Sequence, residues 1–200
     1  MDLNQIYGIE FDESLPFGGE KRIFDSIGME NDFVIGDRFA KNGGKNDFDS
    51  AYPFGAIRLC NVRLKNGKKT VLYEGEEGFS RDGKSGNVMV EIPKFYSLRE
   101  KKGSVERWAV SGVCHPGFGI EPAFLRGGKE LDAIYVGVYN SSYAGDGVFS
   151  STDTLPDFCI PREEHSRRYR EAGSASMIPI SPVRNQPSSV NSSAVASSFL

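Results

Sequence analysis

Apolar and polar residues alternate with a period of two along much of the chain, which is typical of β-strands with one buried face. The strand candidates are residues 5–11, 56–64, 69–73, 87–92, 95–98, 105–111 and 131–139. Asn66-Gly67 lies between two of them and predicts a tight hairpin, because both residues tolerate positive φ. The pattern therefore predicts a β-rich α+β fold of antiparallel strands joined by hairpins.

Two segments predict helical structure instead. Residues 23–27 are expected to form one helical turn with Phe24 and Ile27 on one face. Residues 161–172 predict the one clear helix, with Pro161 at its start, acidic residues in its first turn and arginines in its last turn. The charged residues 99–103 are expected to form a turn, and residues 74–87 a loop.

The alternation also predicts which side chains form the core. The expected buried residues are Val88, Val90, Ile92, Trp108, Val110, Ile134, Val136 and Val138. If Trp108 is a core residue, Trp108→Ala should cost about 3–5 kcal/mol.

Composition divides the chain into three parts. Residues 1–50 are glycine-rich and contain eleven acidic against five basic residues, and we expect this segment to pack on the main domain. Residues 51–172 form the β-rich domain. Residues 173–200 are rich in serine and proline and lack periodicity, which predicts a disordered tail.

Charge and hydropathy argue against several classes of protein. The net charge of the 200-residue chain is -3, whereas nucleic-acid-binding proteins usually have a basic excess. The longest apolar run, residues 133–139, is too short to cross a bilayer, so membrane insertion is not expected. The N-terminus lacks the features of a secretory signal.

Few residues carry a recognisable chemical motif. Cys60, Cys114 and Cys159 are interpreted as free thiols, since none belongs to a Cys-x-x-Cys pair. His115 follows Cys114, and His165 lies near Cys159, but no third residue is seen to orient either pair for catalysis. No catalytic, cofactor-binding or metal-binding residue is predicted.

One acidic region leaves an alternative open. Asp32, Asp37, Asp47 and Asp49 favour a solvated loop, because their order does not match a calcium-binding loop, although an ion there is the second possibility.

Nine segments, in this order and spacing, resemble a known family. They are residues 6–11, 22–29, 46–49, 52–54, 57–62, 83–96, 116–118, 122–124 and 129–139. The family is that of bacteriophage and prophage tail-fibre or minor structural proteins. The resemblance covers roughly residues 5–140, with residues 83–96 as its strongest part.

This resemblance implies a non-enzymatic virion protein of the phage tail, made in the host cytoplasm, that contributes to host-surface adhesion or receptor binding. It implies a C-type-lectin-like fold, as in targets of diversity-generating retroelements, and no cofactor. The implied partners are other tail proteins, a bacterial surface receptor of protein or glycan, and further copies of the chain.

The end of the chain departs from the family pattern. The family continues into an aromatic-rich second half, whereas residues 174–200 contain only Phe199 as an aromatic residue. We therefore expect a domain that is truncated or frame-interrupted near residue 173, in which the strand at residues 131–139 has an unpaired edge and favours self-association. The alternatives are a formylglycine-generating-type enzyme and a non-phage bacterial carbohydrate-binding protein, both on a similar fold.

Overall fold

The computed structural model describes residues 1–16, 19–30, 46–144, 147–152, 155, 161, 163–164, 167 and 177–178. The strands in this part of the chain are β1 (Ile6–Asp12), β2 (Lys21–Phe24), β3 (Arg58–Lys65), β4 (Lys68–Tyr73), β5 (Asn87–Pro93), β6 (Tyr96–Lys102), β7 (Val105–Ser111), β8 (Gly119–Ile120), β9 (Leu125–Arg126), β10 (Lys129–Glu130), β11 (Ala133–Gly137), β12 (Ser142–Ala144), β13 (Gly147–Phe149) and β14 (Met177–Ile178). Three short 3-10 turns accompany them, at Asp47–Ser50, Phe54–Ala56 and Pro122–Phe124.

Most of the strands belong to two five-stranded sheets. The first has the order β2-β1-β7-β6-β8, and the second has the order β14-β11-β5-β3-β4. Every pairing in them is antiparallel except that of β11 with β14. The strand-rich, antiparallel architecture predicted from the alternation is thus confirmed.

The predicted hairpin at Asn66-Gly67 joins β3 to β4. Asn66 has φ 52° and Gly67 has φ 72°, and Lys65 lies directly opposite Lys68. Positive φ at both central residues is the conformation that matches the right-handed twist of the flanking strands. This prediction is confirmed residue by residue.

Two predictions about local structure are wrong. Residues 23–27 do not form a helical turn, since Lys21–Phe24 is a strand paired with β1. Pairing with β1 satisfies backbone groups that a single helical turn would leave open. It leaves Phe24 45% and Ile27 70% exposed, so the two do not form a buried face.

The charged residues 99–103 are also mostly strand rather than turn. β6 continues to Lys102, and the turn falls at Gly103 and Ser104. Glu100 lies opposite Arg107, and Lys101 lies opposite Glu106, in the register of β6 with β7. Opposite charges on facing strands stabilise such a pairing, so a charged run is compatible with a strand that has one solvated face.

The C-terminal predictions fall largely outside the described residues. This holds for most of the helix predicted at 161–172 and for most of the tail predicted at 173–200. Of the predicted helix the structure describes Pro161, Glu163, Glu164 and Arg167, and the last three have α-helical backbone, so the full helix stays a prediction. In the described part of the chain no helix is long and apolar enough to cross a membrane.

β11 has neighbours on both sides, contrary to the unpaired edge expected for residues 131–139. β5 pairs with it on one side, while Met177–Ile178 pairs in parallel with Tyr135 and Val136 on the other. The expectation failed because two residues from the serine-rich segment supply the second neighbour.

The core centres on one face of the second sheet. Cys60, Val62, Met89 and Tyr135 form a buried cluster there. Of the eight residues predicted to form the core, Val88 and Ile134 are buried, whereas the other six, including Trp108, are only half-buried. The predicted face of β5 was therefore incomplete, since Met89 and Glu91 on its other face are buried as well.

Replacing Gly67 by alanine should destabilise the chain by about 1 kcal/mol, because φ +72° is strained for any residue with a Cβ. No atom lies within 4 Å of the position that the new Cβ would take, so the cost comes from the backbone alone. Urea unfolding measures it. A loss above about 3 kcal/mol would indicate steric conflict rather than backbone strain.

Candidate functional site

The buried carboxylate of Glu91 is the centre of a polar cluster on the second sheet. Its Oε1 accepts a hydrogen bond from Arg58 at 2.7 Å, and its Oε2 accepts bonds from the hydroxyls of Tyr73 at 2.9 Å and Tyr135 at 2.7 Å. Lys69 Nζ in turn donates to the Tyr135 hydroxyl at 3.2 Å. We call these five residues the Glu91 cluster.

Strand register assembles this cluster from distant parts of the chain. Arg58 on β3 and Tyr135 on β11 lie opposite Glu91 on β5 from its two sides. Tyr73 comes from β4, where its ring lies 3.7 Å from the Arg58 guanidinium. The cluster therefore joins four strands of the sheet.

The pKa shifts in the cluster follow from burial and hydrogen bonding. Burial alone would raise the pKa of Glu91, but the bonds from Arg58, Tyr135 and Tyr73 outweigh it and bring the pKa below its ordinary value. Burial raises the pKa of Tyr135, and the bond to Glu91 raises it further. At neutral pH Glu91 is therefore an anion and Tyr135 a neutral donor.

The Glu91 cluster is best explained as a structural feature. Both carboxylate oxygens already accept hydrogen bonds within the chain, and Glu91 is 7% exposed. The adjacent Cys60 is fully buried, and burial raises the pKa of its thiol to about 11, so that it is protonated and unreactive at neutral pH.

Tyr135→Phe should lower the free energy of unfolding at neutral pH by about 2 kcal/mol, since a buried carboxylate loses a donor. The difference from the wild type should shrink below about pH 4, because a group with a lowered pKa loses its stabilisation as it becomes protonated. Urea unfolding at both pH values measures this. Tyr96→Phe is the control, as the Tyr96 hydroxyl has no hydrogen-bond partner among the described residues; an equal loss in both variants would contradict the assignment.

The second candidate is an aromatic and charged surface on the first sheet. Trp108 lies at the centre of β7, and the Phe11 ring meets its indole edge-on with centroids 6.0 Å apart. The Arg99 guanidinium lies 4.4 Å from the indole centroid, and the indole N–H donates to Glu106 at 2.6 Å. We call Phe11, Arg99, Glu106 and Trp108 the Trp108 platform.

Register places the platform on one face of the sheet. Arg99 lies opposite Trp108 across β6 and β7, and Phe11 lies opposite Glu106 across β1 and β7. Trp108, Phe11 and Glu106 are half-buried, while Arg99 is exposed. An apolar ring with charged groups at its margin is thus accessible from solvent.

The charges around the platform are paired to different extents. Lys101 donates to both carboxylate oxygens of Glu13, at 2.8 and 2.7 Å. Arg99 has no carboxylate partner among the described residues and contacts the indole instead. Arg99 is therefore the cation that is available to an anionic or hydroxylated ligand.

The opposite face of the same sheet carries charges that neutralise one another. Glu10 is 8% exposed and binds Lys21 at 2.6 Å and Arg107 at 2.5 Å, and Arg107 also approaches Glu100 at 3.6 Å. Hydrogen bonds from Lys21 and Arg107 lower the pKa of Glu10. Among the described residues of this face there is no cation without a carboxylate partner that would correspond to Arg99.

The cysteine and histidine candidates that the structure describes differ in exposure and in their contacts. Cys60 is buried, whereas Cys114 is exposed. His115 contacts the Asn4 carbonyl and the Ser111 hydroxyl through Nε2, which ties its ring to the backbone near β1. Cys159 and His165 lie outside the described residues.

The acidic region is described only in part. Asp47 accepts from the Glu30 amide at 2.8 Å, and Asp49 accepts from the Asn46 side chain at 2.7 Å. Asp32 and Asp37 lie outside the described residues. In the described part of the chain no three histidine, cysteine or acidic side chains are grouped as metal ligands would be.

Sequence reasoning assigned Trp108 to the core and did not identify the platform. The period-two pattern placed Trp108 and Val110 inward, but Ala109 and Ser111 are the buried residues of β7. The two buried positions of β7 are thus filled by small residues, and the large ring of Trp108 lies on the other face of the strand. Both faces of β7 carry apolar residues, Val105 and Ala109 on one and Trp108 and Val110 on the other, so the sequence pattern alone does not determine which face is buried.

Neither a family model, nor a curated protein, nor a solved structure matches this chain.

Proposed function

We propose that this chain is a non-enzymatic structural protein of a phage tail that binds a glycan of the bacterial surface through the Trp108 platform. The observation that carries the proposal is the half-buried indole of Trp108, flanked by Phe11, Arg99 and Glu106 on a strand face. The proposed partners are other tail proteins, further copies of the chain and the surface receptor, and the proposed location is the virion. The C-type-lectin-like fold is part of the proposal and rests on the resemblance of residues 5–140.

The platform has the physical properties that sugar binding requires. A sugar ring has C–H faces that pack on aromatic rings and hydroxyl groups that need hydrogen-bond partners. Trp108 and Phe11 supply the apolar surface, and Glu106 and Arg99 supply an acceptor and donors at its margin. Placement on strands keeps these groups in fixed relative positions, which lowers the entropic cost of binding.

Arg99 determines how a sugar can approach the indole. Its guanidinium lies over the ring, so a ligand either stacks on the guanidinium or displaces it. Displacement of an exposed cation from an aromatic face costs only about 0.5–1 kcal/mol. Both routes leave the guanidinium free to donate to sugar hydroxyl or carboxylate groups.

The formylglycine-generating-type enzyme has less support. That chemistry needs reactive cysteines at a metal site. Of the two cysteines that the structure describes, Cys60 is buried with a pKa raised to about 11, and Cys114 belongs to no group of metal-ligating side chains among the described residues. A non-phage carbohydrate-binding protein would use the same platform. Neighbouring genes separate it from the tail protein, since tail and lysis genes favour the first proposal and polysaccharide genes favour the alternative.

Trp108→Ala should weaken glycan binding at least tenfold, because the largest apolar surface of the platform is lost. Binding is measured by calorimetry against purified bacterial surface polysaccharides. The same variant should lose only about 1–2 kcal/mol of stability, since the indole is half-buried rather than a core side chain.

Phe24→Ala is the matched control for that experiment. Phe24 is an aromatic residue of the same sheet, 45% exposed and outside the platform, so its removal should leave binding unchanged. Absence of glycan binding by the wild type, or equal binding by Trp108→Ala, would refute the proposed site.

A further inference from the structure

The tip of the β3–β4 hairpin carries a concentrated positive charge. Arg63, Lys65, Lys68 and Lys69 are all exposed, and no acidic residue occurs between positions 63 and 73. The whole chain, by contrast, has a net charge of -3. Four of the 24 lysines and arginines are therefore gathered at one place in a protein that is acidic on balance.

Register places three of these cations on one face of the hairpin. Lys65 lies directly opposite Lys68, and Arg63 lies opposite Thr70. Side chains two residues apart on a strand share a face, so Arg63, Lys65, Lys68 and Thr70 are neighbours. Lys69 belongs to the other face, where it contacts Tyr135. We call Arg63, Lys65, Lys68 and Thr70 the basic tip.

The basic tip projects beyond the main part of the sheet. The pairing of β3 with β5 ends at Val62, whereas its pairing with β4 continues to Lys65. Residues 63–70 are thus a two-stranded ribbon. The turn residues Asn66 and Gly67 hold its two strands in a defined register.

The charges of the basic tip have no internal compensation. Lysines elsewhere pair with carboxylates, such as Lys101 with Glu13 and Lys94 with Glu130. Arg63, Lys65 and Lys68 have no carboxylate partner among the described residues. Like charges directly opposite on paired strands are destabilising, so an external anion would relieve a repulsion that the fold itself leaves in place.

We propose that the basic tip binds the phosphate groups of a non-nucleic anionic polymer, such as a chain of polyol or sugar phosphates. Arginine and lysine are the usual donors to phosphate oxygens. The Thr70 hydroxyl already donates to the Arg63 carbonyl at 3.4 Å, so the three cations carry the proposed contact. Binding of single-stranded nucleic acid typically uses aromatic side chains on which bases stack, and the basic tip has none. This proposal does not depend on the Trp108 platform.

Protection of a sheet edge is the competing explanation. β4 is the edge strand of its sheet, and lysines on an edge strand discourage pairing with other chains. Arg63 and Lys65, however, lie on β3, which is paired with β4 and is not the edge strand. Variants that change the sign of the charge without removing it separate the two explanations.

The experiment measures binding of poly(glycerol phosphate) to the full chain. The wild-type affinity should fall roughly twentyfold between about 50 and about 200 mM salt, as expected when about three phosphates of a single-stranded polymer are neutralised. Lys65→Glu/Lys68→Glu should lose at least tenfold in affinity at low salt. The edge strand β4 of this variant still carries charged side chains, so the variant should remain monomeric. Circular dichroism checks that it is folded.

The β9–β10 hairpin supplies a matched control. Arg126 and Lys129 also lie directly opposite each other there and are exposed, but Glu130 follows them in sequence. Arg126→Glu/Lys129→Glu changes the net charge by the same amount and should retain binding. Equal loss in both double variants would show that only the overall charge matters and would overturn the proposal.

Two further results would also overturn it. One is single-stranded DNA of equal charge binding the wild type as tightly as poly(glycerol phosphate), and the other is no binding of the polymer at low salt. The double variant Lys65→Gln/Lys68→Gln distinguishes edge protection from phosphate binding, because it removes both charges. Self-association of this variant with unchanged polymer affinity would assign the lysines to edge protection, whereas reduced affinity supports the phosphate site.

Discussion

The burial of the Glu91 carboxylate is the constraint on which the second sheet depends. A buried charge is tolerated only where it is paired and hydrogen-bonded, and Glu91 has an arginine and two tyrosines as donors. The donors come from β3, β4 and β11, so the carboxylate is satisfied only when these strands pair in the observed register. A slip of one residue would turn Glu91 to the other face and leave its partners behind. The cluster therefore favours one register over its alternatives.

The first sheet manages its charges differently, and this explains where the candidate site lies. On one face, Lys21, Glu10, Arg107 and Glu100 follow one another across four strands with alternating sign. Because these charges are satisfied within the sheet, that face presents little unpaired charge. The other face carries Trp108 and Phe11, with Arg99 in contact with the indole rather than with a carboxylate. The division of charge between the two faces thus leaves the aromatic face as the one suited to a ligand.

Local patterns in the sequence predicted the strands well but predicted their burial poorly. The alternation at residues 87–92 and the Asn66-Gly67 turn correspond to β5 and to the β3–β4 hairpin. The same alternation pointed to Val90 and Ile92 as core residues and left out Glu91, because its partners lie 18, 33 and 44 residues away. Trp108 was misassigned for a related reason, since the buried residues of β7 are the small Ala109 and Ser111. Local hydropathy predicts neither the distant partners of Glu91 nor the burial of small residues on β7.

Charge compensation also explains why the platform and the basic tip stand out from the rest of the described surface. Most exposed lysines and arginines in a folded domain gain little from ion pairs, so an unpaired cation alone carries no information. The two sites differ because each combines unpaired cations with a second, geometric feature. At Arg99 this is an indole whose N–H is already fixed by Glu106, and at Lys65 it is a like-charge neighbour held opposite by the hairpin register. An incoming ligand meets groups that are already positioned by strand pairing, which is the condition under which surface charge yields specific binding.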